Sequence, residues 1–130
     1  MGDLEKILLI MSLCPTYADM RLKGIQRLII PPLRLKQYRI YNDPEVPSCY
    51  ASWALLSDEL SETYKNNEYV IQEGDWKTGD NLWLINVLCP MGGGSIAVRR
   101  LDKLRKELGL PKRVNFKRLG SKRVNNVKRI

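Results

Sequence analysis

Apolar side chains recur at helical spacing over residues 3–14, where Leu4, Ile7, Leu8 and Met11 share a face and Asp3 is placed to cap the first turn. Pro15 interrupts this pattern. A short amphipathic piece follows with Leu22, Ile25, Leu28 and Ile29, and Pro31-Pro32 is expected to break it. The period then changes. Residues 37–42 and 48–55 read as two strands, and Asn42-Asp43-Pro44-Glu45 between them supplies turn chemistry, so an antiparallel hairpin is predicted.

Ser57 begins a helix that runs to about Asn66, with Asp58 and Glu59 suited to its positive N-terminal end. A polar loop, Glu73–Asp80, leads into Leu82–Cys89. That is the most apolar run in the chain, predicted as a central strand ended by Pro90. Met91-Gly92-Gly93-Gly94-Ser95 comes next. An amphipathic helix then turns Ala97, Leu101, Leu104 and Leu108 inward and Arg99, Arg100, Lys103, Arg105 and Lys106 outward. Gly109 suits its C-terminus. Strands at about 112–119 and 122–129 flank Gly120-Ser121, which fits a type II′ turn and turns Val114 and Phe116 inward. The order predicts one α/β domain over residues 1–130, a mixed sheet flanked by helices and closed by a C-terminal β-hairpin.

Charge changes this picture at one end only. All 14 acidic residues lie within residues 1–110, which carry an equal number of basic ones. Residues 111–130 carry eight basic side chains and no acid, so the net charge of +8 belongs to the last hairpin. The chain has no histidine, which removes the commonest general base and the commonest metal ligand. Cys14, Cys49 and Cys89 are distant in sequence and form no CxxC pair, so free thiols in a reducing compartment are expected, with neither a zinc site nor a disulfide framework. The apolar run Ile7–Met11 is too short to span a bilayer and follows acidic residues. No transmembrane segment and a cytoplasmic location are expected.

The segment Leu84–Leu108 carries the clearest chemistry. A buried strand enters Gly92-Gly93-Gly94-Ser95 and a helix starts at once, so backbone N–H groups and the helix N-terminus together form an anion cradle for a phosphate or pyrophosphate. It is neither a P-loop nor a dinucleotide fingerprint, because no Lys-Ser/Thr pair follows and the glycine spacing differs. The competing explanation is a tight turn that needs glycine for steric reasons alone. The strand, glycine loop and helix resemble the acyl-donor loop of the GCN5-related N-acetyltransferase fold.

Two further stretches extend that resemblance. Val46-Pro47-Ser48-Cys49-Tyr50-Ala51-Ser52-Trp53-Ala54-Leu55-Leu56-Ser57 is similar to the Ser-Trp-Ala strand of the RTX toxin-activating lysine acyltransferases. Asp75-Trp76-Lys77-Thr78-Gly79-Asp80, with Trp83 and Pro90 beyond it, is similar to their Asp-Trp-x-x-Gly-Asp loop and central strand. The likeness covers roughly residues 8–120. It implies an acetyltransferase-like fold and transfer of a fatty acyl group from acyl carrier protein to a protein lysine. It also implies no permanently bound cofactor, the donor being a carrier-protein phosphopantetheine or an acyl-coenzyme A held by Gly92, Gly93, Gly94 and Ser95.

The resemblance places the family's serine at Cys14, its catalytic histidine at Tyr17 and its aspartate at Asn86. All three are replaced, so the His/Asp mechanism is excluded. Acyl transfer from a thioester to an amine still needs orientation, loss of a proton from the amine and stabilisation of an oxyanion. Tyr17 is a candidate proton donor to the leaving thiolate, against the alternative of a packed aromatic with its hydroxyl at the surface. Asn86 is a candidate orienting amide, against a satisfied buried one. Asp75 and Glu73 are candidate bases, Asp75 alternatively holding its loop. Cys14 is a candidate acyl-accepting nucleophile.

The basic hairpin, with Lys117, Arg118, Lys122 and Arg123, and the helical Arg99 and Arg100 form a candidate partner surface. An acidic protein such as acyl carrier protein is one occupant and nucleic acid is another, while a solvated face is the bland alternative. A protein-lysine acceptor and a second copy of the chain complete the partners considered. Two functions follow: an acyltransferase with a changed catalytic set, or an inactive acyltransferase fold, of viral or mobile-element type, used as a binding module.

Overall fold

A computed structural model describes residues 2–42, 47–66, 69–90, 103, 105–110, 113–117 and 124–129. Among the described residues the named elements follow in the order α1 (Asp3–Ser12), α2 (Pro15–Ala18), α3 (Leu22–Leu28), α4 (Ile30–Leu35), β1 (Tyr38–Asn42), β2 (Pro47–Leu56), α5 (Asp58–Asn66), β3 (Asn81–Leu88), β4 (Arg113–Lys117) and β5 (Val124–Arg129), and residues 105–108 are also helical. The sheet is mixed, as expected. Strands lie in the order β1-β2-β3-β4-β5, antiparallel except for the β3/β4 pair. β3 is the middle strand. Both predicted antiparallel strand pairs form, while Asp43, Pro44 and Glu45 of the first turn and the Gly120-Ser121 turn lie outside the described residues, as do Ala97, Leu101 and Leu104.

Four helical readings are corrected. Gly2, not Asp3, is the N-cap of α1. The Asp3 carboxylate instead accepts the Tyr38 hydroxyl. α1 also buries Ile7, Ile10 and Met11, leaving Leu4 and Leu8 exposed. Apolar residues surround this helix, so periodicity alone offered two faces, and packing against Tyr50 and Leu88 selects the one used. Pro31 and Pro32 do not merely end a helix. They occupy the first turn of α4, where a missing N–H costs nothing, and both are buried. Within helical residues 105–108, Arg105 is buried and Leu108 is 54% exposed, the reverse of the expected faces. Gly109 takes φ +67° and turns the chain so that Leu110, not Leu108, joins the core around Trp53.

Side-chain alternation along β2 divides the core between two faces. Tyr50, Ala54 and Leu56 point to one face, where Tyr50 meets α1 and α2 and Leu56 meets α5. Trp53 and Leu55 point to the other and pack with Leu82, Leu84 and Val114. Val114 is buried, Phe116 half-buried and Arg113 exposed, the alternation expected of β4. Ser57 caps α5 from the position before its first residue, its Oγ accepting the Leu60 N–H at 3.2 Å.

The Asp-Trp-Lys-Thr-Gly-Asp loop replaces β1 along the second half of β2. Leu55 N–H donates to Trp76 O (2.9 Å), and Leu55 O accepts from the Thr78 and Gly79 amides (2.8 and 3.1 Å). Buried Gln37 ties this junction together, its Nε2 donating to Trp53 O (3.0 Å) and Trp76 O (2.9 Å). Gly79 passes so close to β2 that a Cβ there would lie 2.5 Å from Ser57 Cα and 2.6 Å from Leu56 O. Trp83 closes the layer from β3. Its indole N–H donates to Ser61 Oγ (2.9 Å), and Tyr64 meets its ring edge-on at 5.0 Å.

Candidate functional site

Asn86 owes its position to an irregularity in β3. Ser52 of β2 lies opposite Asn86, but the next residue, Trp53, lies opposite Leu84, so Ile85 is an extra residue on β3. This β-bulge changes the alternation. Leu82 and Leu84 face Trp53, whereas Asn86 and Leu88 beyond the bulge face the α1/α2 layer.

There the Tyr17 hydroxyl donates to Asn86 Oδ1 at 2.8 Å. Asn86 Nδ2 donates to Ser52 Oγ (2.8 Å) and to the Leu28 carbonyl at the end of α3 (3.1 Å). The two positions that the resemblance singled out are thus in direct contact, although 69 residues separate them. Tyr17 reaches the amide from α2, a single helical turn started by Pro15 and held by the Tyr17 and Ala18 amides on Cys14 O. Relative exposure is 7% for Tyr17, 1% for Asn86 and 0% for Ser52. The amide reading of Asn86 is the satisfied buried one, and the Tyr17 hydroxyl is not at the surface.

The cluster is uncharged. Burial, followed by the neighbouring Tyr64 and Cys14, pushes the Tyr17 phenol up to about 12, so it keeps its proton through the physiological range. It donates a hydrogen bond and does not act as a base. Full transfer to an ordinary thiolate, with pKa near 8.5, is uphill by roughly 5 kcal/mol. A hydrogen bond to a developing oxyanion is the role open to it. The Tyr50 hydroxyl, buried beside Ser52, forms no hydrogen bond of good geometry. Burial pushes its ionisation well up, with Ser52 pulling the other way.

The other candidates separate. Burial and then Cys49 raise the Cys14 thiol, which disfavours the nucleophilic thiolate. The three cysteines, distant in sequence, come near one another in the fold without a disulfide. Cys89 is pushed up to about 12 by burial, a hydrogen bond with Cys49 and the proximity of Cys14. The Asp75 carboxylate accepts from the Gln72 N–H (2.8 Å) and the Tyr69 hydroxyl, so it holds its own loop. Glu73 is exposed. Gly92, Gly93, Gly94, Ser95, Arg99, Arg100, Arg118, Lys122 and Arg123 lie outside the described residues, as does the side chain of Lys117 on β4. Among the described residues, no group of three or more Cys, Asp or Glu is arranged to hold a metal. No helix among them is long and apolar enough to cross a membrane.

Ser52 and Gln37 escaped the sequence reading. The only trace of Ser52 was its place beside Trp53 in the motif, and its pairing with Asn86 depends on strand register. Beyond the cluster, the parallel ladder between β3 and β4 joins Leu82–Leu84 to Val114–Phe116, while β3 runs on to Leu88.

Comparison with known proteins places these observations in context. The description of the RTX toxin acyltransferase family matches residues 3–130. A leukotoxin-activating lysine-acyltransferase of a Pasteurella haemolytica-like species is 27% identical over 90 residues, covering 69% of this chain and 54% of the relative. An RTX-II toxin-activating lysine-acyltransferase of Actinobacillus pleuropneumoniae is 26% identical over 87 residues, covering 67% and 54%. A protein-lysine myristoyltransferase of Escherichia coli is 33% identical over 90 residues, covering 68% and 52%. The chain spans about half the length of these curated relatives.

Proposed function

Because the chain belongs to the RTX toxin acyltransferase family, we propose that it is a protein-lysine acyltransferase whose ionisable catalytic pair has become a neutral one. The carrying observation is the 2.8 Å hydrogen bond from Tyr17 Oη to Asn86 Oδ1, which joins the two positions that the resemblance assigns to the family's catalytic histidine and aspartate. In this reading Tyr17 offers its O–H to the oxyanion of the thioester carbonyl and Asn86 fixes the hydroxyl's direction. The incoming lysine loses its proton to solvent, since neither residue accepts one.

The fold in this reading is of the GCN5-related N-acetyltransferase type, in a cytoplasmic protein. Gly92–Ser95, just beyond β3, would cradle the phosphate groups of a carrier-protein phosphopantetheine or of acyl-coenzyme A. Arg99, Arg100, Lys117, Arg118, Lys122 and Arg123 would attract the acidic carrier protein.

Intact-mass analysis tests the proposal. The chain is mixed with acyl-carrier-protein or acyl-coenzyme A thioesters and a lysine-bearing RTX protoxin fragment. Gain of one acyl mass on the fragment, lost in Tyr17→Phe, is the expected result. Absence of both transfer and donor binding at millimolar concentration would refute it.

A second reading has its own support: a catalytically silent module that retains the fold for binding an acidic protein or nucleic acid. The relevant observation is that Tyr17, Ser52 and Asn86 are almost wholly buried and mutually satisfied, as a structural network would be. Donor binding without transfer, unaffected by Tyr17→Phe, selects this reading.

A further inference from the structure

The exposed edge of the sheet offers a surface that neither reading uses. Among the described residues β1 is the outermost strand. Gln37 O accepts the Trp53 N–H at 3.0 Å, and Tyr38 and Arg39 lie opposite Ser52 and Ala51. The alternation of an antiparallel ladder therefore turns the main-chain N–H and C=O of Tyr38 and Ile40 away from β2. A groove of about 470 Å³ runs along this edge.

Its walls combine two kinds of chemistry. Leu33, half-buried Ile40 and exposed Leu108 supply apolar surface, and buried Trp53 lies at its base. Lys6 stands on α1, Lys36 just past the end of α4 and Arg39 on β1. The carboxylate in the lining, Asp3, is engaged by the Tyr38 hydroxyl. Cations, apolar seats and outward main-chain groups are the three elements by which a sheet edge takes up an extended peptide.

We propose that this groove binds an extended acidic peptide segment of a partner protein, which adds to β1 as an antiparallel sixth strand. Its acidic side chains would meet Lys6, Lys36 and Arg39, and its intervening apolar ones would meet Leu33, Ile40 and Leu108. Charge selects this occupant over two others. A second copy pairing through the same edge would oppose Lys36 and Arg39 to their own copies, and the chain's C-terminal twenty residues carry eight cations and no acid. A five-residue edge such as β1 accommodates about 17 Å of extended partner.

The test uses the full chain and labelled six-residue peptides, one alternating Glu and Val and one alternating Lys and Val, followed by fluorescence anisotropy. Saturable binding of the Glu peptide, at least about tenfold tighter than the Lys peptide, is expected. Lys36→Glu combined with Arg39→Glu, both exposed positions, should weaken it about tenfold without changing Tm. N-methylating the peptide at one alternate set of residues should abolish binding, and at the other set should leave it unchanged, because a strand presents only every second amide to its neighbour. Three results would each overturn the proposal: no saturable binding of the Glu peptide, indifference to the charge-reversed variant, or equal effects of the two methylation patterns.

Discussion

Replacing Asn86 by Ala probes the buried cluster from its centre. The amide accepts one hydrogen bond and donates two, so its removal orphans the Tyr17 hydroxyl, the Ser52 hydroxyl and the Leu28 carbonyl at once. Each buried group left unpaired costs about 1–3 kcal/mol, with some relief from relaxation, and the vacated volume adds a cavity penalty, giving roughly 3–5 kcal/mol in all. Tyr17→Phe orphans only Asn86 Oδ1, so about 1–3 kcal/mol is expected. A domain of this size has about 5–15 kcal/mol of stability, and each kcal/mol lost lowers Tm by about 4 °C. Urea denaturation followed by circular dichroism measures both variants and the double mutant. The double mutant should lose less than the sum of the singles, because the partners share one bond. An Asn86→Ala variant within 1 kcal/mol of the parent, with strict additivity, would refute the assignment of a satisfied network.

Gly79→Ala should destabilise by several kcal/mol, since its Cβ meets backbone atoms of Leu56 and Ser57 that cannot swing aside; a Tm within a few degrees of the parent contradicts this. Alkaline titration has a defined sign. Unfolded tyrosine ionises near 10 whereas buried Tyr17 and Tyr64 hold their protons to about 12, so their stabilisation is intact below pH 10 and lost as pH rises towards 12, at up to about 1.4 kcal/mol per unit for each group. Tyr17→Phe should reduce that slope, and equal slopes would show that its phenol ionises normally. If transfer occurs, its rate at subsaturating acceptor should rise about tenfold per pH unit up to the acceptor lysine's pKa near 10.4, with no plateau near neutrality. A rate that levels off near pH 7 would reveal a base other than solvent. The paired change Tyr17→His and Asn86→Asp should bring that plateau back, measured by the same mass assay.

Local chemistry made the strands legible. Alternation in residues 37–42 and 48–55, the apolar run of β3 and the alternating Val114 and Phe116 specified their own elements, because each strand's pattern is set by the faces it buries. Helices were less accessible where several patterns competed. α1 is apolar nearly all round, so its inward face followed from Tyr50 and Leu88, which arrive much later in the chain. α4 was hidden by Pro31-Pro32, a pair that reads as a break yet fits a first helical turn. In the site, resemblance nominated Tyr17 and Asn86 separately. Their bond, and the part taken by Ser52, depended on a strand register and a bulge that no local signal announced. The convergence of Cys14, Cys49 and Cys89 was missed for the same reason.

The extra residue at Ile85 has a consequence for how this chain can change length. With Ile85 present, Leu84 serves one layer and Asn86 the opposite one, a combination an uninterrupted strand cannot provide for residues two apart. Deleting Ile85 would force a choice: hold Leu82 and Leu84 against Trp53 and rotate the polar centre out of its nest, or hold Asn86 and expel the leucines. Insertions and deletions are thus barred from the segment Leu82–Leu88, even though single substitutions at half-exposed Ile85 should be tolerated. In this strand the count of residues is under tighter constraint than the identity of the one that makes the count.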